Sequence, residues 1–162
     1  TDIQTEIRSM AKVANESYDL VRGTLAVLQS ESVSDLFRIF SRYAKQVEQR
    51  SKIKIDFASE GEQKLLSANK MRQLFYIFRE ALSNIEKYAE ASRVLINMIW
   101  TEDCLTLVVF DDGNGIDAAN IQNDGHYGLK FMRERAELLN GSILIDSEVG
   151  AGTNITISVP FE

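Results

Sequence analysis

Cysteine, histidine and long apolar runs are scarce in this 162-residue chain. The single cysteine, Cys104, permits no internal disulfide and mildly favours a cytosolic setting. It sits in a strand-like run and reads as inert packing. The single histidine, His126, rules out a multi-histidine metal site. No apolar stretch approaches the roughly 20 residues of a membrane span, and no secretory leader opens the chain. Positive charge is also short: 18 Lys and Arg stand against 24 Asp and Glu, a net charge of −6. A general grip on nucleic acid would want a basic face, so no direct nucleic-acid partner is expected. Internal repeats and low-complexity tracts are absent. There is no starting Met, so the expectation is a cytoplasmic piece of a longer protein. Whether that parent is membrane-anchored stays open.

What is present is an ordinary soluble composition, 44% hydrophobic and 26% charged. The length suits one domain with a core and perhaps an appendage. Residues 1 to 29 read as one helix with a heptad-like seam of Ile3, Ile7, Met10, Ala14, Ser17, Val21, Thr24 and Leu28. Such a helix could lie on its own domain or form one limb of a bundle, and the length of the stripe favours the bundle. Ser32 and Asp35 mark a second helix start, followed by an apolar face of Leu36, Phe37, Phe40, Tyr43, Ala44 and Val47. Lys52 to Phe57 alternates as a half-buried strand, and Glu60-Gly61-Glu62 reads as a turn. Ser67 is placed as the cap of a long helix to about Ala89. At about 100° per residue, Glu80, Asn84 and Lys87 share a face away from its core stripe. A solvated face would explain that equally well.

Strands are expected at Arg93 to Trp100 and Cys104 to Phe110, around a turn at Glu102-Asp103. Residues 116 to 127 lack periodicity and read as a mobile loop. A helix from about Leu129 to Leu139 stops at Asn140-Gly141. Strands at Ser142 to Ser147 and Thr153 to Pro160 close the chain. Hairpins with helices between them predict a two-layer α/β sandwich whose sheet is mostly antiparallel.

The oddity is Asp111-Asp112-Gly113-Asn114-Gly115, a strand ending in carboxylates and glycines. Neither residue type helps a sheet. The stretch is no dinucleotide fingerprint, since no G-x-G-x-x-G is present, and no P-loop, since no Gly-Lys-Ser/Thr follows. Alone it supports only a close approach to the backbone.

Four separated pieces resemble the catalytic domain of bacterial sensor histidine kinases and their ATPase relatives. Glu80 to Ala89 is similar to their N box, and Asp111 to Gly115 to the Asp-x-Gly-x-Gly of their G1 box. His126 to Ala136 is similar to the G2 region, and Gly150-Ala151-Gly152-Thr153 to the last Gly-Thr motif. The resemblance covers residues 33 to 160, and Gly-Leu-x-x-Met-Arg-Glu-Arg-Ala with a short lid resembles the nitrate-sensor-like branch. It implies a Bergerat-type fold binding ATP and Mg²⁺. It also implies a regulator partner carrying a helix-turn-helix output domain, and a homodimer in the full-length protein.

In that reading Asp111 accepts a hydrogen bond from the adenine amino group, a role that suits an acceptor-only carboxylate. Gly113 and Gly115 allow close backbone approach. Asn84 holds Mg²⁺ through its amide oxygen, a hard ligand, with Glu80 one turn earlier near the metal and its waters. Lys87 reaches phosphate. Tyr88 departs from the pattern, where His often follows the Lys, and would stack or pack on the adenine side. His126 and Tyr127 belong to the lid, and Gly128 and Leu129 open the next helix, whose N–H groups suit phosphate. Gly152 and Thr153 complete the adenine end. Arg133 and Arg135 share roles that the pattern does not separate.

The phosphoacceptor is a further question. Glu16-Ser17-Tyr18-Asp19 aligns with the family's Glu-Leu-His-Asp, but too few residues separate Tyr18 from Ile53 for the helices required. The better match makes residues 1 to 30 the second helix of the dimerisation hairpin and 31 to 162 the catalytic domain. The acceptor His would then sit on an upstream helix of the same protein. Rival readings are an anti-sigma-factor serine kinase, which would lack the bundle helix, and a non-catalytic interaction module with an empty pocket.

Overall fold

A computed structural model of the chain describes residues 2–29, 34–117 and 127–162. Helix α1 spans Asp2–Gln29 and α2 spans Ser34–Arg50. Strand β1 is Lys54–Glu60, and α3 is Ala68–Asn84, prolonged by a π-helical segment, Ile85–Ala89. Strands β2 (Arg93–Trp100) and β3 (Cys104–Asp111) follow, then α4 (Tyr127–Leu138), β4 (Ser142–Glu148) and β5 (Gly152–Pro160). The sheet order is β1-β2-β3-β5-β4. Only β1 and β2 pair in parallel, and every other neighbour is antiparallel. The expected mixed, mostly antiparallel sheet with helices on one face is what forms.

Alternation decides which face is covered. Val94, Ile96, Met98 and Trp100 of β2, and Leu105, Leu107 and Val109 of β3, are buried. Ile155, Ile157 and Val159 of β5 join them in one core with α2, α3 and α4. Period-2 burial in strands meets period-3.6 burial in helices, as two layers require. The α2 face is buried at Leu36, Phe40, Tyr43, Ala44 and Val47, with Phe37 packed at its margin. Phe40 stacks on Phe78 of α3 at 4.6 Å between ring centroids and meets Phe75 edge-on at 5.6 Å. Such ring pairs add to the burial they already supply.

Several boundaries differ from the sequence reading. The first strand begins at Lys54 and runs through Glu60, beyond the expected Phe57. Parallel pairing with β2 is the reason, since it continues to Glu60 opposite Ile99. Glu60 is therefore strand, and the turn centres on Gly61, whose φ is 88°. The long helix does begin at Ser67, whose hydroxyl accepts the Lys70 N–H at 3.2 Å. Its last turn, however, is π-helical rather than α-helical. Helix α4 opens at Tyr127, so Gly128 is its second residue and not its first.

The Asn140-Gly141 stop is a left-handed cap. Asn140 takes φ 51°, Gly141 N–H bonds Ala136 O at 2.9 Å, and Asn140 N–H bonds Glu137 O at 2.9 Å. Glycine is needed next because a Cβ at 141 would strike the Ser158 carbonyl. The expected cap at Ser32 and the expected lid, apart from its first two residues and Tyr127, lie outside the described residues.

In α1 the seam residues Ile3, Ile7, Met10 and Val21 are exposed. The domain core closes without them. Its Arg8, Ala11, Lys12 and Asn15 face a groove shared with Tyr43, Arg79 and Ser83 of α2 and α3. None of the described helices is long and apolar enough to cross a membrane.

Because Phe78 is fully buried between Phe40, Tyr43 and Phe57, Phe78→Ala should destabilise the domain by about 3–5 kcal/mol. Urea unfolding checks this, and the residual cavity sets where in the range the loss falls.

Candidate nucleotide site

Among the described residues the buried polar side chains are Asp111 and Thr153. They sit opposite each other where β3 pairs with β5. Both line one cavity of about 280 Å³, bounded on its other side by α3, the π-helical segment and the start of α4. A core of hydrocarbon side chains thus gives way to polar groups at a single place, the mouth of this cavity.

The two adjacent aspartates have different jobs. Asp111 continues the inward face of Leu105, Leu107 and Val109 and is 2% exposed. Its Oδ1 accepts the Gly113 N–H at 2.9 Å. Loss of water pushes its carboxyl up from the usual value, partly offset by N–H groups of Gly113 and Thr153. Asp112 points outward. Its carboxylate accepts the N–H groups of Ser92 and Arg93, each at 2.8 Å, and the Ser92 hydroxyl at 2.6 Å. Those bonds hold its pKa below the ordinary value. So Asp112 fastens the start of β2, while Asp111 is kept for the cavity.

Glu80, Asn84, Lys87 and Tyr88 all line the cavity, so the shared helix face borders a site as well as solvent. Residues 85–89 carry the wider π pattern, which is often found at functional sites. Two ties fix that segment. Arg50 grips Glu86 with both guanidinium arms, at 2.8 and 2.6 Å, and Asn114 N–H bonds the Ala89 carbonyl at 2.7 Å. The second tie joins the helix wall to the glycine-rich wall. Tyr88 is largely exposed at the rim.

The glycines are explained first by the chain's own crowding. A Cβ at Gly113 would meet the Ala89 carbonyl and the Asp111 carboxylate. At Gly115 it would meet the Glu148 carbonyl, and at Gly152 the Asp111 carbonyl. Gly115 and Gly152 also hold φ of 69° and 87°, where side chains are strained. Gly115 lines the cavity, but Gly113 and Gly152 stand behind the lining. Gly128 lines it with Tyr127 and Leu129, and a Cβ there would strike Glu80 Oε1. His126 lies outside the described residues. Arg135 turns to α3, bonding Gln73 at 2.6 Å and covering the Tyr76 ring at 4.3 Å. It therefore fastens α4 rather than facing the cavity.

Sequence reasoning missed Ile116 and Ile155, which give the cavity apolar walls, and Ser147. The Ser147 hydroxyl accepts Ile116 N–H at 2.7 Å and lies 2.8 Å from Thr153 Oγ1. Its signal was legible: Ile143, Ile145 and Ser147 alternate on one side of β4, so a hydroxyl ends an inward-facing row.

Oxygen ligands of the Glu80 and Asn84 kind fit Mg²⁺, which commonly takes one or two protein ligands plus phosphate and water. Among the described residues no cluster of three acidic, His or Cys side chains could hold a metal alone.

Linkage gives the two aspartates opposite signs. A carboxyl with raised folded pKa favours folding below its unfolded pKa and loses that contribution as pH rises through the folded value. One with lowered pKa stabilises above its unfolded pKa and loses that as pH falls through the folded value. Asp111→Asn should therefore unfold no earlier than the parent at pH 7. Asp112→Asn should unfold earlier, and its deficit should shrink in acid. Thermal melts at pH 7 and pH 4 distinguish the pair.

The model of the family described as "Histidine kinase-, DNA gyrase B-, and HSP90-like ATPase" matches residues 69–162. The chain is 32% identical over 157 residues to the signal transduction histidine-protein kinase/phosphatase DegS of Brevibacillus brevis, covering 96% of this chain and 40% of that protein. It is 31% identical over 144 residues to the oxygen sensor histidine kinase NreB of Staphylococcus carnosus, covering 88% of this chain and 42% of NreB. The chain thus spans about two-fifths of the length of these relatives. Its fold is similar to that of the Acinetobacter baumannii histidine kinase AdeS, with a TM-score of 0.67 at 13% identity, over 98% of this chain and 83% of that one. Cavity, motifs and relatives agree, and the chain belongs to the histidine kinase-, DNA gyrase B- and HSP90-like ATPase family, as a histidine-kinase-like ATPase domain.

Proposed function

We propose that this chain is the phosphoryl-donating part of a two-component sensor histidine kinase. It binds Mg-ATP and passes the γ-phosphoryl group to a histidine on a helix upstream of residue 1, for relay to a response regulator. The observation that carries the reading is the pair of buried polar side chains, Asp111 and Thr153, turned into one apolar-walled cavity. Apolar walls with a few placed polar groups suit a planar base.

Each residue then has a part. Asp111 accepts from the adenine amino group, and Tyr88 covers the rim. Gly115 brings backbone to the base, while Gly113 and Gly152 support that backbone from behind. Asn84 holds Mg²⁺ through its amide oxygen, with Glu80 oriented toward the metal's waters. Lys87 supplies positive charge to phosphate. The N–H groups of Tyr127, Gly128 and Leu129 open α4, where the helix dipole favours an anion. His126 belongs to the lid side of the nucleotide and is not the phosphorylated residue. The acceptor nitrogen forms a bond to the γ-phosphorus as the bond to the bridging oxygen breaks, and ADP leaves with that electron pair. Positioning and charge stabilisation dominate such transfers.

Residues 1–30 are assigned to the second helix of a dimerisation hairpin and 31–162 to the catalytic domain. The exposed seam of Ile3, Ile7, Met10 and Val21 supports a homodimeric bundle in the full-length protein. It also disfavours a serine-kinase relative of the anti-sigma-factor type.

Calorimetric titration tests the adenine role. Asp111→Asn should weaken ATP binding by about a hundredfold or more, because a charge-assisted bond is replaced by a donor facing a donor. Parent affinity should also fall in acid, starting above the ordinary aspartate range, since the Asp111 carboxyl is raised. Unchanged affinity in the variant contradicts the role. With γ-labelled ATP the chain alone should gain no stable label, and label on His126 would refute the assignment of the acceptor.

A further inference from the structure

Ser147 stands outside the residues so far given a part in the cavity, yet its hydroxyl makes three contacts. It accepts Ile116 N–H at 2.7 Å, donates to the Gly152 carbonyl at 3.0 Å, and lies 2.8 Å from Thr153 Oγ1. A serine hydroxyl has one proton and two lone pairs. A carbonyl can only accept, so that one proton is committed to Gly152. The Ile116 N–H takes one lone pair. The contact with Thr153 is a hydrogen bond at the same time only if Thr153 donates and Ser147 accepts. This is the arrangement in which all three contacts are satisfied together, and a largely desolvated network favours it.

The consequence falls on the cavity. Thr153 is buried beside Asp111 and lines the same wall. With its proton turned to Ser147, its oxygen offers lone pairs alone. Two neighbouring groups then present acceptors and no donor. We propose that Ser147 is a positioning residue that sets base specificity, by holding Thr153 as an acceptor so that the cavity takes a 6-amino purine and rejects a 6-oxo purine. A buried carbonyl facing this wall would find no donor, and an unpaired buried polar group is a strong basis for rejection. The inference rests on the proposed nucleotide reading and adds to it which residue discriminates between bases.

The test compares ATP with inosine 5′-triphosphate, which carries a 6-oxo group, by competition binding to the parent chain and to Ser147→Ala. Removing the serine hydroxyl frees the Thr153 proton to turn into the cavity and meet the 6-oxo group. The ATP-over-inosine preference should narrow by about tenfold, the size of one net hydrogen bond, and Ser147→Thr should restore it. A purely structural loss would weaken both nucleotides by the same factor, and that result overturns the proposal. Thr153→Val keeps the volume and removes the hydroxyl, so it should also narrow the preference. If Ser147→Ala does not fold, that variant decides: a preference unchanged in Thr153→Val overturns the proposal, and a narrowed one supports it. A parent chain that binds neither nucleotide overturns the nucleotide reading itself. A parent that prefers ATP, with variants of unchanged preference, overturns only the role of Ser147.

Discussion

Burial of the Asp111 carboxylate is the constraint around which this fold is arranged. Taking an ionised carboxylate out of water costs several kcal/mol. Its partners in the fold are N–H groups of Gly113 and Thr153 rather than a cation. Hydrogen bonds to a charged group return about 1.5–3 kcal/mol each, which holds the ion without extinguishing it. A structural ion would be better served by a close opposite charge. What remains is an acceptor with unused lone pairs at the end of an apolar strand, facing an apolar-walled cavity. That is a poor device for stability and a good one for recognising a donor.

The surroundings follow from keeping that acceptor in place. Gly113 lies against the Ala89 carbonyl, Gly115 against Glu148 and Gly152 against Asp111 itself. Side chains at these positions would push the walls apart. The Asn114 bond to Ala89 and the Arg50 fork on Glu86 clamp the π-helical end of α3 to the sheet side. Asn84 and Glu80 are carried on the same helix, so the end of the cavity that would meet phosphate is indexed to the end that would meet the base. Gly128 draws α4 close to Glu80 and closes the third side.

Much of this was legible in the residues. The row Leu105, Leu107, Val109 already points Asp111 inward by period 2, and the four motifs put Asn84 and Gly128 beside it. Ser67 as a cap and Asn140-Gly141 as a stop are local chemistry and were readable as such. What was not legible is tertiary. The extension of β1 to Glu60 depends on a parallel partner some forty positions away along the chain. The π-helical end of α3 leaves no trace in apolar spacing, because Ile85 and Ala89 suit either helix. The motif pattern gave the glycines to the nucleotide, whereas atomic contacts give them first to neighbouring carbonyls. Ser147 was passed over because a lone serine in a strand looks like surface until its three contacts are counted.

The central claim is that the cavity is an ATP site with adenine on Asp111 and the metal on Asn84. A crystal structure of the chain with Mg²⁺ and a non-hydrolysable ATP analogue tests it directly. The account predicts the adenine amino group within hydrogen-bond distance of the Asp111 carboxylate and Mg²⁺ on the Asn84 amide oxygen. A base bound away from Asp111, or phosphates at the β3–β5 end, would contradict it.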